Sequence, residues 1–373
     1  MPTNNTKSFN LRSFKFELKH KVNTIKKLFK SYCFWHWRKN TYLVDGTNSI
    51  GVKFLGNVAN HPLLIALLGL VSENSALHSV IKNEILITDF PLPNALRIPA
   101  TLTTLVPLSR SIEEILASYG RSLRRSIVGQ RNQYRYETVD TLDKITAIND
   151  EMLKPYANAR HESAHHLDLD TVTNLAISEY GRLDLLYLNE EAVGCHLGNF
   201  YERQGKSYWR VNRFGYPAKI YSDYKLWGEV NSMNLHLALE TAINGGYDFC
   251  DYGASLARPG AGLIEWKRRR KGFLVEDEGI DFYLKFPKSG AQHFFWHSPL
   301  FNIENHKVVL HLGVPEGKTD TEIMARYHEM GYGGLHKVYL HCNRPLDETL
   351  MQFFRDLYAD QESPPSVITY ETS

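Results

Sequence analysis

The stretch RLDLLYLNEEAVGCHLGNFYERQGKSYWRVNRFGYP, residues 182–217, decides the fold. Apolar and polar residues alternate along it with a period of two, and polar residues at 189–191 and 203–205 interrupt the alternation. Alternation on both sides of short turns predicts an antiparallel meander of three strands. The stretch YKLWGEVNSMNLHLALETAINGG at 224–246 then predicts a long helix, because the two glycines at its end are a common stop signal.

The segments on either side of the meander extend this pattern. Strands are predicted for ATLTTLVPL (100–108), YRYETV (134–139) and YDFCDYG (247–253), and helices for SIEEILASYGRSLRRSIVGQRNQ (111–133), 141–154 and 168–180. GLIEWKRRRKGF at 262–273 begins another helix or turn. The resulting order, β-α-β-α-α-β-β-β-α-β-α-β, predicts an α/β fold of the α+β type, a mixed sheet flanked by helices.

Beyond this central region the chain divides into segments of different character. Its 373 residues, 43% of them apolar and 23% charged, suffice for two or three domains of ordinary globular composition. The predicted divisions are a basic segment at 1–40, a small α/β unit at 41–108 with a helix near 62–72, a central domain at 109–290 and a βαβ extension at 300–373. This composition excludes collagen, long coiled coils and bulk disorder.

The basic segment holds much of the positive charge of the chain. Residues 1–40 contain ten Lys or Arg and one acid, a net +9, whereas the whole chain carries only +2. Apolar residues recur there at helical spacing, namely Phe14, Leu18, Val22, Ile25 and Phe29. Two interpretations stay open: peripheral contact of residues 12–39 with an anionic membrane or polyanion, or a helix packed on its own protein with a solvated basic face.

Cysteine usage and hydropathy bear on location. Cys33, Cys195, Cys250 and Cys342 form no C-x-x-C pair, which is typical of reduced thiols in a cytosolic protein. The longest apolar run, near 61–71, is about half of the ~20 residues that a membrane-spanning helix needs. We therefore expect a cytoplasmic protein, at most peripheral at the inner membrane surface, and the modest net charge argues against sequence-specific nucleic-acid binding. The oligomeric state is left open.

Several motifs in this order resemble one known family. They are SLRRSI (122–127), NEEAVGCHLG (189–198), SYWRVNRFGYP (207–217), GGYDFCDYGAS (245–255) and GLIEWKRRRKG (262–272). Together they cover about half of the chain and resemble the FemAB-like branch of the Gcn5-related N-acetyltransferase superfamily. The resemblance implies a meander followed by a helix and a splayed strand pair that holds an acyl donor. The unit at 41–108 is compatible with a partial half of the same fold.

The resemblance also implies an activity. FemAB-like enzymes join acyl or aminoacyl groups to amines, so we expect transfer to a cell-envelope or polysaccharide precursor, a small molecule or a glycan or peptide acceptor. The implied donor is acyl-CoA, such as acetyl-CoA, or aminoacyl-tRNA, and no metal is expected. A second hypothesis is a degenerate fold of this type that serves as a binding module for an anionic membrane or polyanion.

Amide formation needs a base for the attacking amine and donors to the developing oxyanion. His196, on the central strand of the meander, is the first candidate base because imidazole titrates near neutrality, although a lone strand histidine is more often structural. Asp251 with Tyr252 matches the family's Asp-Phe-Gly turn and is the second candidate. Asp251 could equally cap the following turn through nearby backbone N–H groups.

Candidate substrate-binding residues lie on three segments. They are Tyr208, Trp209 and Arg210 on the meander, Asp248 on the next strand, and Arg160 with His161 in a connecting segment. Arg210 is suited to a carboxylate or phosphate, or is simply an exposed strand arginine. Since strand residues three apart point to opposite faces, at most one of Asp248 and Asp251 is expected to face the cleft.

The donor site departs from the pattern of CoA-using relatives. These carry a Gly-rich loop at the start of the long helix, where backbone N–H groups hold the diphosphate. Only Gly228 could serve that purpose here, with Lys225 beside it. Lys267 begins a run of five positive charges at 267–271. The run is either a solvated face or an anion site for CoA, tRNA or a polyanionic acceptor. The departure puts acetyl-CoA in doubt.

A competing motif spells H-E-x-x-H at 161–165, which on a helix aligns two zinc ligands with a glutamate base. The preceding PYANAR is small and polar, and Glu179 or Glu190 would have to supply the third ligand. A zinc hydrolase is therefore the third hypothesis.

Overall fold

The structure is a computed structural model. It describes residues 37–44, 50–73, 83–161, 167–286, 290–359 and 365–369. Residues 1–36 of the basic segment and positions 162–165 of the H-E-x-x-H motif lie outside the described residues. The predictions made for these two segments remain predictions.

The described strands, in chain order, belong to three sheets. They are β1 (Trp37–Val44), β2 (Ile50–Asn57), β3 (Leu70–Glu73), β4 (Asn83–Thr88), β5 (Leu96–Pro99), β6 (Thr101–Pro107), β7 (Tyr134–Val139), β8 (Gly181–Leu188), β9 (Glu191–Arg203), β10 (Lys206–Gly215), β11 (Phe249–Leu256), β12 (Phe273–Glu276), β13 (Asp281–Lys285), β14 (Leu300–Glu304), β15 (Lys307–Val314), β16 (Leu335–Cys342) and β17 (Ser366–Thr369).

The described α-helices connect and cover these sheets. They are α1 (His61–Leu68), α2 (Ile112–Ala117), α3 (Arg121–Gln130), α4 (Leu142–Ile148), α5 (Lys154–His161), α6 (Leu169–Ile177), α7 (Ala218–Tyr221), α8 (Tyr224–Asn244), α9 (Gly262–Arg268), α10 (Ala291–His297), α11 (Asp320–Tyr327) and α12 (Glu348–Leu357). A π-helical turn, Asn149–Leu153, joins α4 to α5. None of the helices in the described ranges is long and apolar enough to cross a membrane.

The central sheet has seven strands in the order β12-β6-β11-β10-β9-β8-β7. Strands β7 to β10 are antiparallel neighbours, and β8, β9 and β10 form the predicted meander. Strand β11 runs parallel to β10 but pairs with it over three residues only, from Tyr208↔Phe249 to Arg210↔Asp251. The two strands diverge after this point, so the splayed pair expected from the sequence is confirmed. The mixed sheet flanked by helices is confirmed with it.

The two tight turns of the meander form because suitable residues stand at them. Asn189 lies between β8 and β9 with φ 54°, and Gln204 and Gly205 lie between β9 and β10 with φ 53° and 73°. Asn and Gly tolerate this left-handed region best, and two-residue turns with positive φ match the twist of a hairpin. These turns fix which residues of β9 and β10 face each other.

Each face of the central sheet is covered by different helices. Helices α2, α3 and α8 cover one face through a core that includes Ile115, Ile127 and Leu239. Helices α4 and α6 cover part of the other face, around Val172 and Leu197. The remainder of that second face, over β10 and β11, carries half-buried polar and aromatic side chains.

Helix boundaries differ from the sequence predictions for local reasons. The helix predicted near 62–72 ends at Leu68, because Gly69 adopts φ 65° and its N–H bonds the carbonyl of Ile65. The single helix predicted at 111–133 is two helices, α2 and α3, since the N–H of Ser118 already closes the first one and Gly120 begins the second. The segment predicted at 141–154 continues through the π-helical turn to α5.

The other two sheets share one core. The first sheet has the order β3-β1-β2-β4-β13-β5, and the third has the order β14-β15-β16-β17. Phe54, Phe282, Phe294 and Phe301 pack in the single core that joins them. Strand β6 thus lies in the central sheet, whereas β13 returns to the first sheet. In the third sheet β15, β16 and β17 are parallel, with α11 and α12 as crossovers, so the residues of the predicted extension do form βαβ units.

Candidate functional site

The fork between β10 and β11 opens at a bulge in β11. The register of β11 against β6 shifts between Asp251 and Ala254, and Gly253 in between has φ 74°. The Lys267 Nζ, from α9, donates to the carbonyl oxygens of Gly253 and Ala254 at 2.7 and 3.3 Å. Lys267 therefore holds the bulged backbone in place, and the bulge turns β11 away from β10.

Asp251 is the centre of a polar cluster at this fork. Its side chain is fully buried and accepts from Arg210 Nε at 2.7 Å, from the Tyr201 hydroxyl at 2.8 Å and from the Gly253 N–H at 2.7 Å. The Arg210 side chain is 43% exposed, so the ion pair has one buried and one solvated end. Burial, with the nearby Asp251 charge, raises the pKa of Tyr201. The hydroxyl therefore stays protonated and donates to the carboxylate.

Lys267 brings a second charge close to this cluster. Its side chain is nearly fully buried, and burial lowers its pKa to about 7, against the opposing pull of Asp251 and Asp277. Asp277 accepts from the hydroxyls of Thr101 and Thr103 at 2.6 and 3.2 Å. The fork thus contains two carboxylates and two cationic side chains on one side of the sheet.

A row of aromatic rings extends from this cluster across the sheet. Tyr201 stacks on Tyr208 with ring centroids 4.8 Å apart, and Tyr208 stacks on Phe249 at 5.2 Å. Phe273 meets Phe249 edge-on at 6.0 Å, and the Arg210 guanidinium lies 4.9 Å from the Tyr201 ring. All these rings are half-buried. The row offers a flat surface on which a planar or apolar group can stack.

His196, the first candidate base, lies away from the fork and is a correction to the sequence-based assignment. It faces α8, enclosed by the rings of Tyr136, Trp209 and Phe214. Its side chain is fully buried, neither ring nitrogen has a hydrogen-bond partner among the described residues, and burial lowers its pKa to about 3. A ring that reaches neither solvent nor another polar group cannot receive a proton from an amine at the fork.

Two further candidates share the face of His196 and are not brought to the cluster. Trp209 packs in the core under α8 and stacks on Tyr247 at 5.6 Å. Tyr252 is also in that core, because it follows Asp251 by one residue along the strand and so points the other way. Burial holds the pKa of Tyr252 well above its ordinary value.

Asp248 stands just before β11, also outside the cluster. It accepts from the N–H and hydroxyl of Ser207, both at 2.9 Å, and from Lys206 Nζ at 3.0 Å. The backbone N–H of Ser207, with Lys206, lowers its pKa to about 2. These bonds fix the start of β11 against β10, which is a structural role.

The start of α8, the predicted donor site, is capped by a carboxylate. Asp223 accepts from the N–H groups of Lys225 and Leu226 at 3.0 and 3.1 Å. Lys225 is exposed, and a Cβ added at Gly228 would meet no atom within 4 Å. Space therefore exists beside Gly228, but the N–H groups that would hold a diphosphate are already bonded and face a negative charge.

The remaining substrate candidates lie near the same helix end. The Arg160 guanidinium lies 4.4 Å from the Trp227 ring, and Trp227 Nε1 donates to the Tyr156 hydroxyl at 3.2 Å. His161 is the last residue of α5. Within the described ranges, no group of three or more His, Cys, Asp and Glu side chains is arranged to bind a metal ion.

Sequence reasoning identified Asp251, Arg210, Tyr208 and Lys267, which the structure brings together, but missed other members of the cluster. Tyr201 lies directly across from Tyr208 in the β9–β10 ladder. The two-residue turn between these strands is a signal that would have placed Tyr201 there, because turn length sets the register. Asp277 and its two threonine partners come from distant strands and leave no such local signal.

Comparisons with known proteins give distant matches. No family model matches the chain, and no curated protein does. Among solved structures, FemX is 13% identical over 68% of this chain and 91% of its own, with a TM-score of 0.39. L-PGS from Bacillus licheniformis is 14% identical over 68% and 85%, with a TM-score of 0.34. A GCN5-related N-acetyltransferase from Anabaena variabilis is 9% identical over 76% and 72%, with a TM-score of 0.30.

The resemblance to the FemAB-like branch of the Gcn5-related superfamily therefore rests on the sequence motifs given above. The sequence motifs pointed to this branch, and the splayed pair of β10 and β11 is the feature of the structure that corresponds to it. At such identities and TM-scores nothing about activity, donor or acceptor follows from these matches.

Proposed function

We propose that this chain transfers an acyl or aminoacyl group to an amine. The observation that carries the proposal is the Asp251–Arg210 ion pair at the fork where β10 and β11 part. Parallel pairing ends at this pair, so the backbone edges beyond it face each other across a gap. An acyl group in that gap would meet backbone N–H donors, which stabilise the oxyanion that forms as an amine attacks.

Tyr201 and Asp251 are the proposed route for the proton. The amine nitrogen attacks the acyl carbon and forms the new C–N bond, and its proton passes to the Tyr201 oxygen while the Tyr201 proton passes to Asp251. The bond from the acyl carbon to the leaving oxygen or sulfur then breaks, and the leaving group takes the proton back by the same route. The 2.8 Å bond between the hydroxyl and the carboxylate supports this relay.

The donor is proposed to be an aminoacyl ester of tRNA in preference to acyl-CoA. The Asp223 carboxylate occupies the N–H groups at the start of α8, where CoA-using relatives of the resembled family would hold a diphosphate. Arg210 has a solvated end beside the fork and is suited to a phosphate of the acceptor stem. The half-buried rings of Tyr201 and Tyr208 would stack on a terminal base.

The acceptor is proposed to be a glycan or peptide precursor of the cell envelope, used in the cytoplasm. This part of the proposal rests on the sequence resemblance to FemAB-like enzymes. The open second face of the sheet beside the aromatic row supports an acceptor larger than a simple amine.

The test is a transfer assay with radiolabelled aminoacyl-tRNA and acetyl-CoA as alternative donors and amine-bearing envelope precursors as acceptors. Tyr201→Phe and Asp251→Asn should each lower kcat by about 10²-fold or more, the size of a general acid–base contribution. Tyr187→Phe is the matched control, because Tyr187 lies on β8 beneath Arg135 and away from the fork. Wild-type rates in both fork variants would remove the proposal.

A second candidate function rests on the charge of the basic segment. Its net charge of +9 over residues 1–40 favours contact with an anionic membrane. In this second function the transferase fold serves as a binding module. The full chain should sediment with vesicles of phosphatidylglycerol at low salt and be released as the salt concentration rises. A chain that lacks residues 1–36 should not bind the vesicles. Equal sedimentation of both proteins would count against this function.

A further inference from the structure

A second polar site lies next to the fork on the same side of the sheet. It is a small cleft, partly open to solvent, and its enclosed volume is about 20 Å³. Its polar lining residues are Arg213, Lys154 and Asn149, and its apolar walls include Leu153, Leu167 and Val172. The cleft thus combines two cations with an apolar wall, and none of its lining residues is acidic.

Arg213 is the unusual member of this lining. Its side chain is half-buried, and its NH1 group donates to the carbonyl oxygen of Asn212 at 2.7 Å. Burial lowers the pKa of the guanidinium, and no carboxylate among the described residues offsets that effect. Arg97, Arg131 and Arg210 are also partly buried, but each has a carboxylate partner. A partly buried guanidinium without a counter-charge is suited to an anion from outside the chain.

Two backbone segments beside the cleft, the π-helical turn and β10, lie very close together. The π-helical turn Asn149–Leu153 lies against β10, and a Cβ at Gly215 would be 2.9 Å from the Leu153 nitrogen. Only glycine therefore permits this contact. Turns of this kind are rare and occur often at functional sites.

The cleft and the fork face the same way. Arg213 pairs with Leu197 and Arg210 with Asn199, two residues apart on β9, so both arginines lie on one face of the sheet. The register of β10 shifts between Val211 and Arg213, so the two arginines are separated by the span of two strand residues, which at about 3.3 Å per residue is roughly 7 Å. A molecule with its amine at the fork would reach the cleft with a group roughly 7 Å away.

We propose that this cleft binds an anionic group of the acceptor, a carboxylate or a phosphate, through Arg213 and Lys154. The inference rests on the proposed function, since it assigns the far end of the same acceptor. It narrows the acceptor to amines that carry a negative charge roughly 7 Å from the nitrogen, joined by an apolar chain that the Leu153 and Val172 wall can contact.

Three primary amines of similar length test the proposal by titration calorimetry at low salt and without donor. They are 6-aminohexanoate, 6-aminohexyl phosphate and hexylamine. The wild-type chain should bind at least one of the two anionic amines about 10-fold more tightly than hexylamine. The anionic amine with the larger gain in affinity over hexylamine identifies the preferred anion as carboxylate or phosphate.

Variants of the cleft decide whether Arg213 is responsible. Arg213→Gln should abolish the preference, Arg213→Lys should restore part of it, and Lys154→Gln, at an exposed position, should weaken it several-fold. Arg135→Gln is the control, because Arg135 lies on β7 beside Glu137 and should bind like wild type. Melting temperatures of all variants show whether each one folds.

The possible outcomes separate this inference from the proposed function. No preference for anionic amines in the wild type, or an unchanged preference in both Arg213→Gln and Lys154→Gln, would overturn the anion site. Tyr201→Phe should keep the preference because it leaves the cleft intact. Binding that persists in Tyr201→Phe without any detectable transfer in the wild type would support the cleft while removing the transferase.

Discussion

The Nε of Arg210 lies 2.7 Å from a carboxylate oxygen of Asp251, and these two residues are also the last parallel pair between β10 and β11. One residue pair therefore ends the backbone ladder and fixes a charge at the same point. Asp251 is fully buried, whereas the Arg210 side chain is 43% exposed. The buried end holds the geometry and the solvated end can meet a ligand.

Asp251→Asn should destabilise the fold, because it leaves the Arg210 guanidinium and the Tyr201 hydroxyl beside an uncharged amide. We expect a loss of about 2 kcal/mol in the free energy of unfolding, below the range for fully buried pairs because water still reaches Arg210. Urea unfolding measures it. Asp248→Asn, directly before the start of β11, should cost less because its ion-pair partner Lys206 is exposed. A larger loss in the Asp248 variant would contradict this ranking.

His196→Leu should flatten the acid dependence of stability. The His196 pKa is about 3 in the fold and about 6.5 when the chain is unfolded. Between these values the unfolded chain binds the proton and the folded chain does not, so the wild type loses about 1.4 kcal/mol for each pH unit on acidification. Above about pH 6.5 the effect is absent.

Melting temperatures at pH 7.5 and pH 5 give the measurement for His196→Leu. The variant should match or exceed the wild type at pH 7.5, since no hydrogen bond of the ring is lost, and its advantage should grow at pH 5. Equal pH dependence in the two proteins would show that His196 is protonated in the fold. Transfer activity, where detected, should survive the substitution.

The contrast between His196 and Asp251 shows what the sequence can and cannot predict. Strand alternation predicts that neighbouring residues point to opposite faces, which correctly separates Asp251 from Tyr252. It does not say which face a helix covers. Imidazole titrates near neutrality, which favours His196 as a base, but long-range packing places α8 over it. Which face stays open depends on where α2, α3 and α8 pack.

The meander and the long helix were predictable because their signals are local. Period-two alternation, Asn189 and Gly205 at the turns and the glycines after α8 all act within a few residues. The return of β13 to the first sheet is a long-range pairing, Tyr283 with Arg97 and Thr88, and leaves no short motif. The cleft at Arg213 likewise needs the π-helical turn, α5, α6 and β10 to be in place.

Gly253→Ala tests the bulge that opens the fork. Gly253 has φ 74° and its added Cβ would meet only the Val211 oxygen, at 4.0 Å, so the cost is backbone strain of about 1–2 kcal/mol. Gly205→Ala is the matched control, with φ 73° and no atom within 4 Å of the new Cβ. Both variants should melt at similarly lowered temperatures, but only Gly253→Ala should lose transfer activity. Equal activities would mean that the bulge does not shape the site.

The charge at the start of α8 predicts a specific ligand response. Free CoA at 1 mM should leave the wild-type melting temperature unchanged, because the Asp223 carboxylate occupies the N–H groups of Lys225 and Leu226 and repels the diphosphate. Differential scanning fluorimetry detects binding, since any ligand that binds only the folded chain raises this temperature. Asp223→Ser keeps a good helix cap without the charge, so this variant should melt close to the wild type and gain a small rise with CoA. A rise of several degrees in the wild type would restore acyl-CoA as the donor and place its diphosphate away from the end of α8.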